Sequence, residues 1–317
     1  MFLQNVIVAA SQVLVLYIMA LIGVIADKTG VFKEDVAKKC TDLLFYVITP
    51  AKILESFFTL EYSRQALTGL LIAVGSGLLM HAVAAGASLP LFSKEKPEKA
   101  AVYKYACMYG NCGYMGLPLV DAVVGKTGVF YCSCVIISFQ IFTFTHGVWL
   151  MTKGGEEKRG AGAVLKRIIL NPGVLPVFVG LPVFVSGITL PSMITSPISS
   201  IASMNSPLAM LIFGTYIANT DFKSIAGHFK SLSLVSAFKL LFMPLAMIGA
   251  LKLLGIGGEL GLTLVITAAA PPANNTILFA SKYDKDTSLA SQAVALLSFI
   301  SIITLPVMIA FGGTVLN

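Results

Sequence analysis

Hydrophobic residues occur along the chain in long runs, separated by short charged or proline- and glycine-rich connections. Each run is about 20 residues long, which is the length that an α-helix needs to cross the hydrocarbon core of a bilayer. An open sheet would leave backbone hydrogen-bonding groups unpaired in lipid. The alternation of apolar and polar residues that is typical of a membrane β-barrel is absent, so the runs are interpreted as helices. The pattern predicts ten spans, at residues 4–26, 38–59, 65–92, 100–121, 126–150, 166–187, 193–219, 231–254, 260–282 and 287–313.

Composition agrees with this all-α integral membrane fold. Of the 317 residues 56% are hydrophobic and only 12% are charged, whereas a soluble domain carries about 25% charged residues. Disorder and a soluble two-domain enzyme are therefore excluded. The net charge of +7 does not indicate nucleic-acid binding, because the positive residues lie between apolar runs rather than in a patch on a polar fold. The first run lacks a basic leader and a small-residue cleavage site, so it is interpreted as a span and not as a signal peptide.

The distribution of lysine and arginine predicts the topology. The odd-numbered connections carry four, four, five, two and two of the 22 positive residues, the even-numbered ones carry three in all, and the termini carry none. Positively charged connections remain on the cytoplasmic side. We therefore expect a multi-pass protein of the inner or plasma membrane with both termini extracytoplasmic.

The longest polar stretch lies at the midpoint and leaves five spans on each side. An odd number of spans per half requires the second half to enter the membrane in the opposite orientation, as in an inverted-topology repeat. The predicted organisation is a first five-helix repeat at residues 1–151, a cytoplasmic linker at 152–163 and a second, inverted repeat at 164–317.

Two spans are interrupted near their middle, the fourth by GNCGYMGLP (residues 110–118, the first break) and the ninth by PPANNT (residues 271–276, the second break). Such an interruption is tolerable in lipid only where protein or a cavity satisfies the freed backbone. The prolines suit the first turn of a new half-helix, whose N-terminus would favour an anion. Alternatively, the prolines only kink the helices and the asparagines bond a neighbouring helix. The candidate substrate-binding residues are Asn111, Cys112, Gly113, Tyr114, Pro118, Pro271, Pro272, Asn274, Asn275 and Thr276.

Charged and titratable residues inside spans are a second group of candidates. Lys239 lies about 12 Å from the nearest end of its span, so it should face a cavity or a partner, in a structural or a coupling role. Lys52 and Glu55 stand at i, i+3 and could pair with each other. His81 could carry a proton or could be a hydrogen-bonded core residue.

The segments NCGYMGLPL, KLLFMPLAM and APPANNTILFA resemble the bacterial members of the auxin efflux carrier family. That family is similar in architecture to sodium–proton antiporters and bile acid transporters. The resemblance implies two inverted five-helix repeats, two broken helices that cross, a scaffold and an elevator-like transport domain, and a small organic anion as cargo. It places the asparagines and prolines of the two breaks at the crossover, and Lys239 matches a lysine of the family motif. The long cytoplasmic loop of the plant carriers is absent, so its phosphorylation control is not transferred.

The sequence thus predicts a secondary transporter of small organic anions such as carboxylates, and not an enzyme, since HExxH, GxSxG and ATP-site motifs are absent. We expect the lipid bilayer and the anion as partners, no nucleic acid, no cofactor, and H⁺ or Na⁺ as the candidate coupling ion. A homodimer is left open. The alternatives are a sodium or proton antiporter or symporter on the same fold, and a membrane sensor that binds an anion without moving it.

Overall fold

A computed structural model describes residues 2–152, 160–220 and 227–316, and these residues form helices throughout, apart from one isolated backbone bridge. The helices of the first half are α1 Phe2–Lys28, α2 Glu34–Leu43, α3 Thr49–Thr59, α4 Arg64–Ser88, α5 Pro97–Met108, α6 Leu117–Val123, α7 Lys126–Phe142 and α8 Val148–Met151. Those of the second half are α9 Ala161–Ile169, α10 Leu175–Ser186, α11 Ser192–Ala202, α12 Asn205–Ala218, α13 Phe229–Ala237, α14 Met243–Leu253, α15 Gly258–Ala269, α16 Asn275–Lys282 and α17 Thr287–Val315.

Every span expected from hydropathy contains one of these helices or a short series of them. Six continuous helices within the described residues are long and apolar enough to cross a membrane, and three further apolar helices are shorter. The all-helical membrane class is therefore confirmed. The number of crossings, the side on which each terminus lies and the division into repeats remain predictions. Most of the predicted linker lies outside the described residues, as do Lys153, Lys158, Arg159 and Lys223 of the charge pattern.

Four described segments wind as π turns, namely Leu44–Ile48, Cys112–Gly116, Thr143–Gly147 and Phe238–Phe242. In three of them a proline follows two residues after the turn, at Pro50, Pro118 and Pro244. Proline lacks the N–H of the helical ladder and its ring clashes with the carbonyl four residues earlier. A wider turn just before the proline relieves that clash, so the helices bend without ending.

The helices pack in two groups. In the first group, α1 packs along α12, and α3 packs against α10 and α11, which brings together the first, second, sixth and seventh spans. Gly23 and Gly214 let α1 and α12 approach closely, since a Cβ at either position would collide with the backbone of the other helix. The second group contains the other six spans, with α15 packed against both α7 and α17. The groups meet along α1 with α17 and along α3 with α7.

Candidate substrate site at the two broken helices

The two breaks lie directly against each other. The Asn111 N–H donates to the Pro271 carbonyl at 2.7 Å, and the Ala273 N–H donates to the Tyr109 carbonyl at 2.8 Å. These bonds flank an antiparallel bridge between Gly110 and Pro272. Each break therefore satisfies backbone groups of the other, which is what a non-helical segment at membrane depth requires.

The prolines of the two breaks were expected in the first turn of a new half-helix. Pro118 agrees with this expectation, because it lies in the first turn of α6, although a π turn at Cys112–Gly116 comes before it. Pro271 and Pro272 do not agree with it, because α16 begins only at Asn275. They lie in the extended segment that pairs with Gly110, where a missing N–H costs nothing. For these two prolines the expectation was wrong, because the bridge accommodates them instead.

Asn111 follows Gly110, the residue that pairs with the second break, and it is the N-cap of the half-helix that begins at Cys112. Its side-chain Oδ1 accepts a hydrogen bond from the Tyr114 N–H at 3.0 Å, so the carbonyl end of the amide serves as an N-cap. The Nδ2 of Asn111 has no protein partner in the described part of the chain. The Asn111 amide nitrogen, with its two N–H donors, therefore remains available to a ligand.

Four helix ends meet at this crossing. The helices α5 and α15 bring their C-termini, while the half-helix at Cys112 and α16 bring their N-termini. A helix carries about half a positive charge at its N-terminus and about half a negative charge at its C-terminus. The crossing thus offers two ends that favour a cation and two that favour an anion.

Lys239 occupies the cation-favouring side. Its side chain is fully buried, and Nζ donates to the Ala268 carbonyl in the last turn of α15 at 3.2 Å. A Cβ at Gly110 would lie 2.8 Å from Nζ and 3.2 Å from the Ala270 carbonyl, so the ammonium lies directly beside the first break. Lys239 forms no ion pair with a carboxylate of the described residues. Its charge is therefore stabilised by the Ala268 carbonyl, and Lys239 leaves the anion-favouring ends to other groups, of which Asn111 Oδ1 caps the Tyr114 N–H.

A cavity of about 50 Å³ lies beside the crossing. By that measure it holds a few water molecules. Its lining consists of Phe45, Thr49, Gly110, Asn111, Cys112, Gly113, Tyr114, Ile136, Phe139, Gln140, Gly173, Ala273, Asn274 and Asn275. Asn111, Tyr114 and Asn274 also line a second, narrower cavity together with Thr41. One asparagine of each break, Asn111 and Asn274, therefore lines both cavities.

The structure brings together most of the residues expected from the breaks. Pro118, Pro271, Pro272 and Thr276 are buried at or beside the crossing and do not line the cavity. Sequence reasoning missed Thr49 and Gln140, which reach the cavity from the second and fifth spans. A glutamine inside an apolar run was the only signal that could have indicated Gln140.

The remaining candidates lie away from the cavity. Lys52 pairs with Glu55 at 3.3 Å, as the i, i+3 spacing suggested, and also with Asp121 at 2.9 Å, which ties α3 to α6. The ring of His81 is fully buried, with Nδ1 2.7 Å from the Gly77 carbonyl, and it stacks on Phe142. Of the four charged or titratable candidates, Lys239 is the one with a hydrogen bond at the crossing in the described part of the chain, while the His81 ring packs against Tyr109 and Phe139.

Comparison with known proteins identifies this architecture. The sequence pattern of the family described as membrane transport protein matches residues 8–309. The chain belongs to this family. The resemblance to auxin efflux carriers is thereby confirmed, and a membrane transporter is the class that membership supports.

Several members of the family are similar over much of their length. An uncharacterized transporter of Methanocaldococcus jannaschii is 22% identical over 315 residues, which cover 96% of this chain and 98% of that protein. The uncharacterized transporter YfdV of Escherichia coli K12 is 25% identical over 304 residues, 91% of this chain and 93% of its own. A Rhizobium meliloti protein, described provisionally as a malonate transporter, is 25% identical over 211 residues, 65% of each chain.

Proposed function

We propose that this membrane transporter is a secondary carrier of small organic anions, and that it binds the carboxylate of its substrate between the two broken helices. The observation that carries the proposal is the division of charge at the crossing. Lys239 occupies the C-terminal ends, and the helix N-termini with the asparagine amides are left for an anion. The relative described as a malonate transporter supports an organic anion as cargo.

The composition of the cavity supports modest affinity. No lysine or arginine is among its lining residues, which are mostly apolar with four amides and two hydroxyls. Amide donors contribute on the order of 1 kcal/mol each to binding. A carrier must release its substrate, and a site with modest affinity is suited to that release.

The two helix groups support an elevator-like movement. Both breaks and Lys239 belong to the second group, while α3 and α12 of the first group cover the cavities from the other side. A shift of one group along the α1–α17 and α3–α7 contacts would expose the cavities to either side of the membrane.

The same packing supports the inverted repeat. The first span packs on the seventh and the second packs on the sixth, as a two-fold relation between residues 1–151 and 164–317 requires.

We further propose that both termini are extracytoplasmic in the inner or plasma membrane, that no cofactor takes part, and that H⁺ or Na⁺ is the coupling ion if the carrier is coupled. A homodimer is an arrangement that the proposal allows.

Reconstitution into proteoliposomes tests the proposal. Uptake of labelled malonate would be measured with an imposed sodium gradient, with a pH gradient, with a membrane potential alone and without any gradient. We expect time-dependent accumulation in at least one condition and none in protein-free vesicles. Binding without accumulation would favour the sensor, and sodium–proton exchange without any acid would favour the antiporter.

A matched pair of variants assigns the site. Asn111→Asp keeps an oxygen that caps the Tyr114 N–H but replaces the free Nδ2 donor by negative charge, so it should abolish malonate uptake. Gln65→Glu makes the same change from amide to carboxylate at an exposed residue in the first turn of α4, which lines neither cavity, and should leave uptake unchanged. Equal uptake by the two variants would place the substrate site elsewhere.

A further inference from the structure

The fifth span presents a buried amide to the cavity without a protein partner. Gln140 is 5% exposed, and its Oε1 is buried without any hydrogen bond in the described part of the chain. Its Nε2 would lie 3.5 Å from a Cβ built at Gly173, another residue of the cavity lining. Buried polar groups are nearly always hydrogen-bonded, so an unpartnered amide beside a cavity needs an explanation.

The surroundings of Gln140 indicate a ligand rather than packing. It shares the lining with Asn111 and Asn274 but is contributed by α7, a helix that belongs to neither break. Thr49 also lines this cavity, and its Oγ1 accepts a hydrogen bond from Asn205 at 3.0 Å, so its own O–H can donate. The cavity therefore has polar groups on α3 and α7 in addition to those of the breaks.

We infer that Gln140 is a specificity-determining residue that hydrogen-bonds a second polar group of the substrate. The preferred substrate is then a short acid with a polar group at each end, such as a three-carbon dicarboxylate or hydroxy acid. This inference rests on the proposed function, because it assumes that one carboxylate occupies the breaks.

The amide is suited to this role. It can donate to a carboxylate through Nε2 or accept from a hydroxyl or protonated carboxyl through Oε1, and it carries no charge. A substrate with an apolar end would leave the amide unpaired. A site built around a hydrogen bond rejects an analogue that lacks the group much more strongly than an apolar pocket rejects a size change.

The chain contains a matched control. Gln292 on α17 is 6% exposed, and its Oε1 is likewise buried without a partner, while its Nε2 donates to Ser288 Oγ at 3.2 Å. It lines neither of the cavities at the crossing. Replacing either glutamine by leucine removes a buried amide of the same size, so a general effect of losing that amide appears in both variants.

Equilibrium binding of three acids to purified protein tests the inference. The probes are malonate, 3-hydroxypropionate and propionate, which share three carbons and differ at the end remote from one carboxyl group. We expect the wild type and Gln292→Leu to bind malonate or 3-hydroxypropionate about tenfold more tightly than propionate. Gln140→Leu should bind all three within about threefold of one another, with the affinity for propionate unchanged.

The outcomes separate the inference from the proposed function. Equal binding of the three acids by the wild type, or a preference retained by Gln140→Leu, overturns the role of Gln140 and leaves an anion carrier. Failure of all three acids to bind the wild type overturns the proposed function and this inference with it. If Gln140→Leu is not monodisperse, Gln140→Asn, shortened by one methylene, should lose most of the preference, and a preference kept in full would overturn the inference.

Discussion

Replacing Lys239 by methionine should separate the stability of this transporter from its affinity for anions. Methionine keeps the length and much of the apolar stem of lysine but removes the ammonium. Lys239 is fully buried, and its Nζ has one hydrogen bond, to the Ala268 carbonyl. Taking a charge out of water costs several kcal/mol, and apolar replacements of buried charges are often neutral or stabilising. We therefore expect the melting temperature of the purified variant to stay the same or rise.

The effect on binding follows from the position of Gly110. This residue lines the cavity, and a Cβ built on it would lie 2.8 Å from the ammonium, so a carboxylate that occupies the cavity would be near the ammonium. Two opposite unit charges roughly 7 Å apart at an effective dielectric constant of about 20 attract by ~2 kcal/mol. Loss of the ammonium should raise the Kd for malonate by about 30-fold.

Thermal unfolding and malonate binding would be measured on the same preparations, with Lys52→Met as the control. Lys52 is paired with Glu55 and Asp121 outside the cavity, so its loss should lower stability and change the Kd by less than about threefold. Uptake should likewise be impaired more by Lys239→Ala than by Lys52→Ala. An unchanged Kd in Lys239→Met, or a loss of stability that accounts for the loss of binding, would refute the electrostatic argument.

Three further outcomes are expected. Asn111→Ala and Asn274→Ala should each weaken malonate binding by about tenfold per lost hydrogen bond in monodisperse protein; unchanged affinity in both would leave them as packing residues. Gly214→Ala should destabilise the protein by about 1–3 kcal/mol, because its Cβ would collide with the α1 backbone at Ala20; Gly113→Ala, where a Cβ meets nothing within 4 Å, should unfold like the wild type. A reporter that is active only outside the cytoplasm should be active when fused to the C-terminus, and an inactive fusion would contradict the extracytoplasmic orientation of the termini.

Local features of the sequence were sufficient to locate the helices and the two breaks. A run of apolar residues about 20 long determines a helix in lipid, and a cluster of glycine, proline and asparagine within such a run determines its interruption. Both signals depend on neighbouring residues alone. The contact between the two breaks was expected from the family resemblance, since nothing local links residue 110 to residue 272.

Three features could not be predicted because they depend on packing. The role of Gln140 depends on which side of the fifth span faces the cavity. That span is hydrophobic on all sides, so its sequence has no periodic pattern that shows which side faces inward. The partner of Lys239 is a backbone carbonyl, which any sequence provides. A π turn lies between Asn111 and the helix that Pro118 begins, and sequence rules for helix starts do not anticipate such a turn.

The bridge between the breaks also constrains how the chain folds during synthesis. The Tyr109 carbonyl cannot form its hydrogen bond until the N–H of Ala273 has been synthesised, about 160 residues further along the chain. At about 5–20 residues per second, the ribosome delivers that partner roughly 8–30 s later. Until then the fourth span carries unpaired peptide groups in or near the bilayer, so a nascent chain that stops before the ninth span is left with an open backbone defect at its centre. Completion of the crossing therefore belongs among the last steps of assembly.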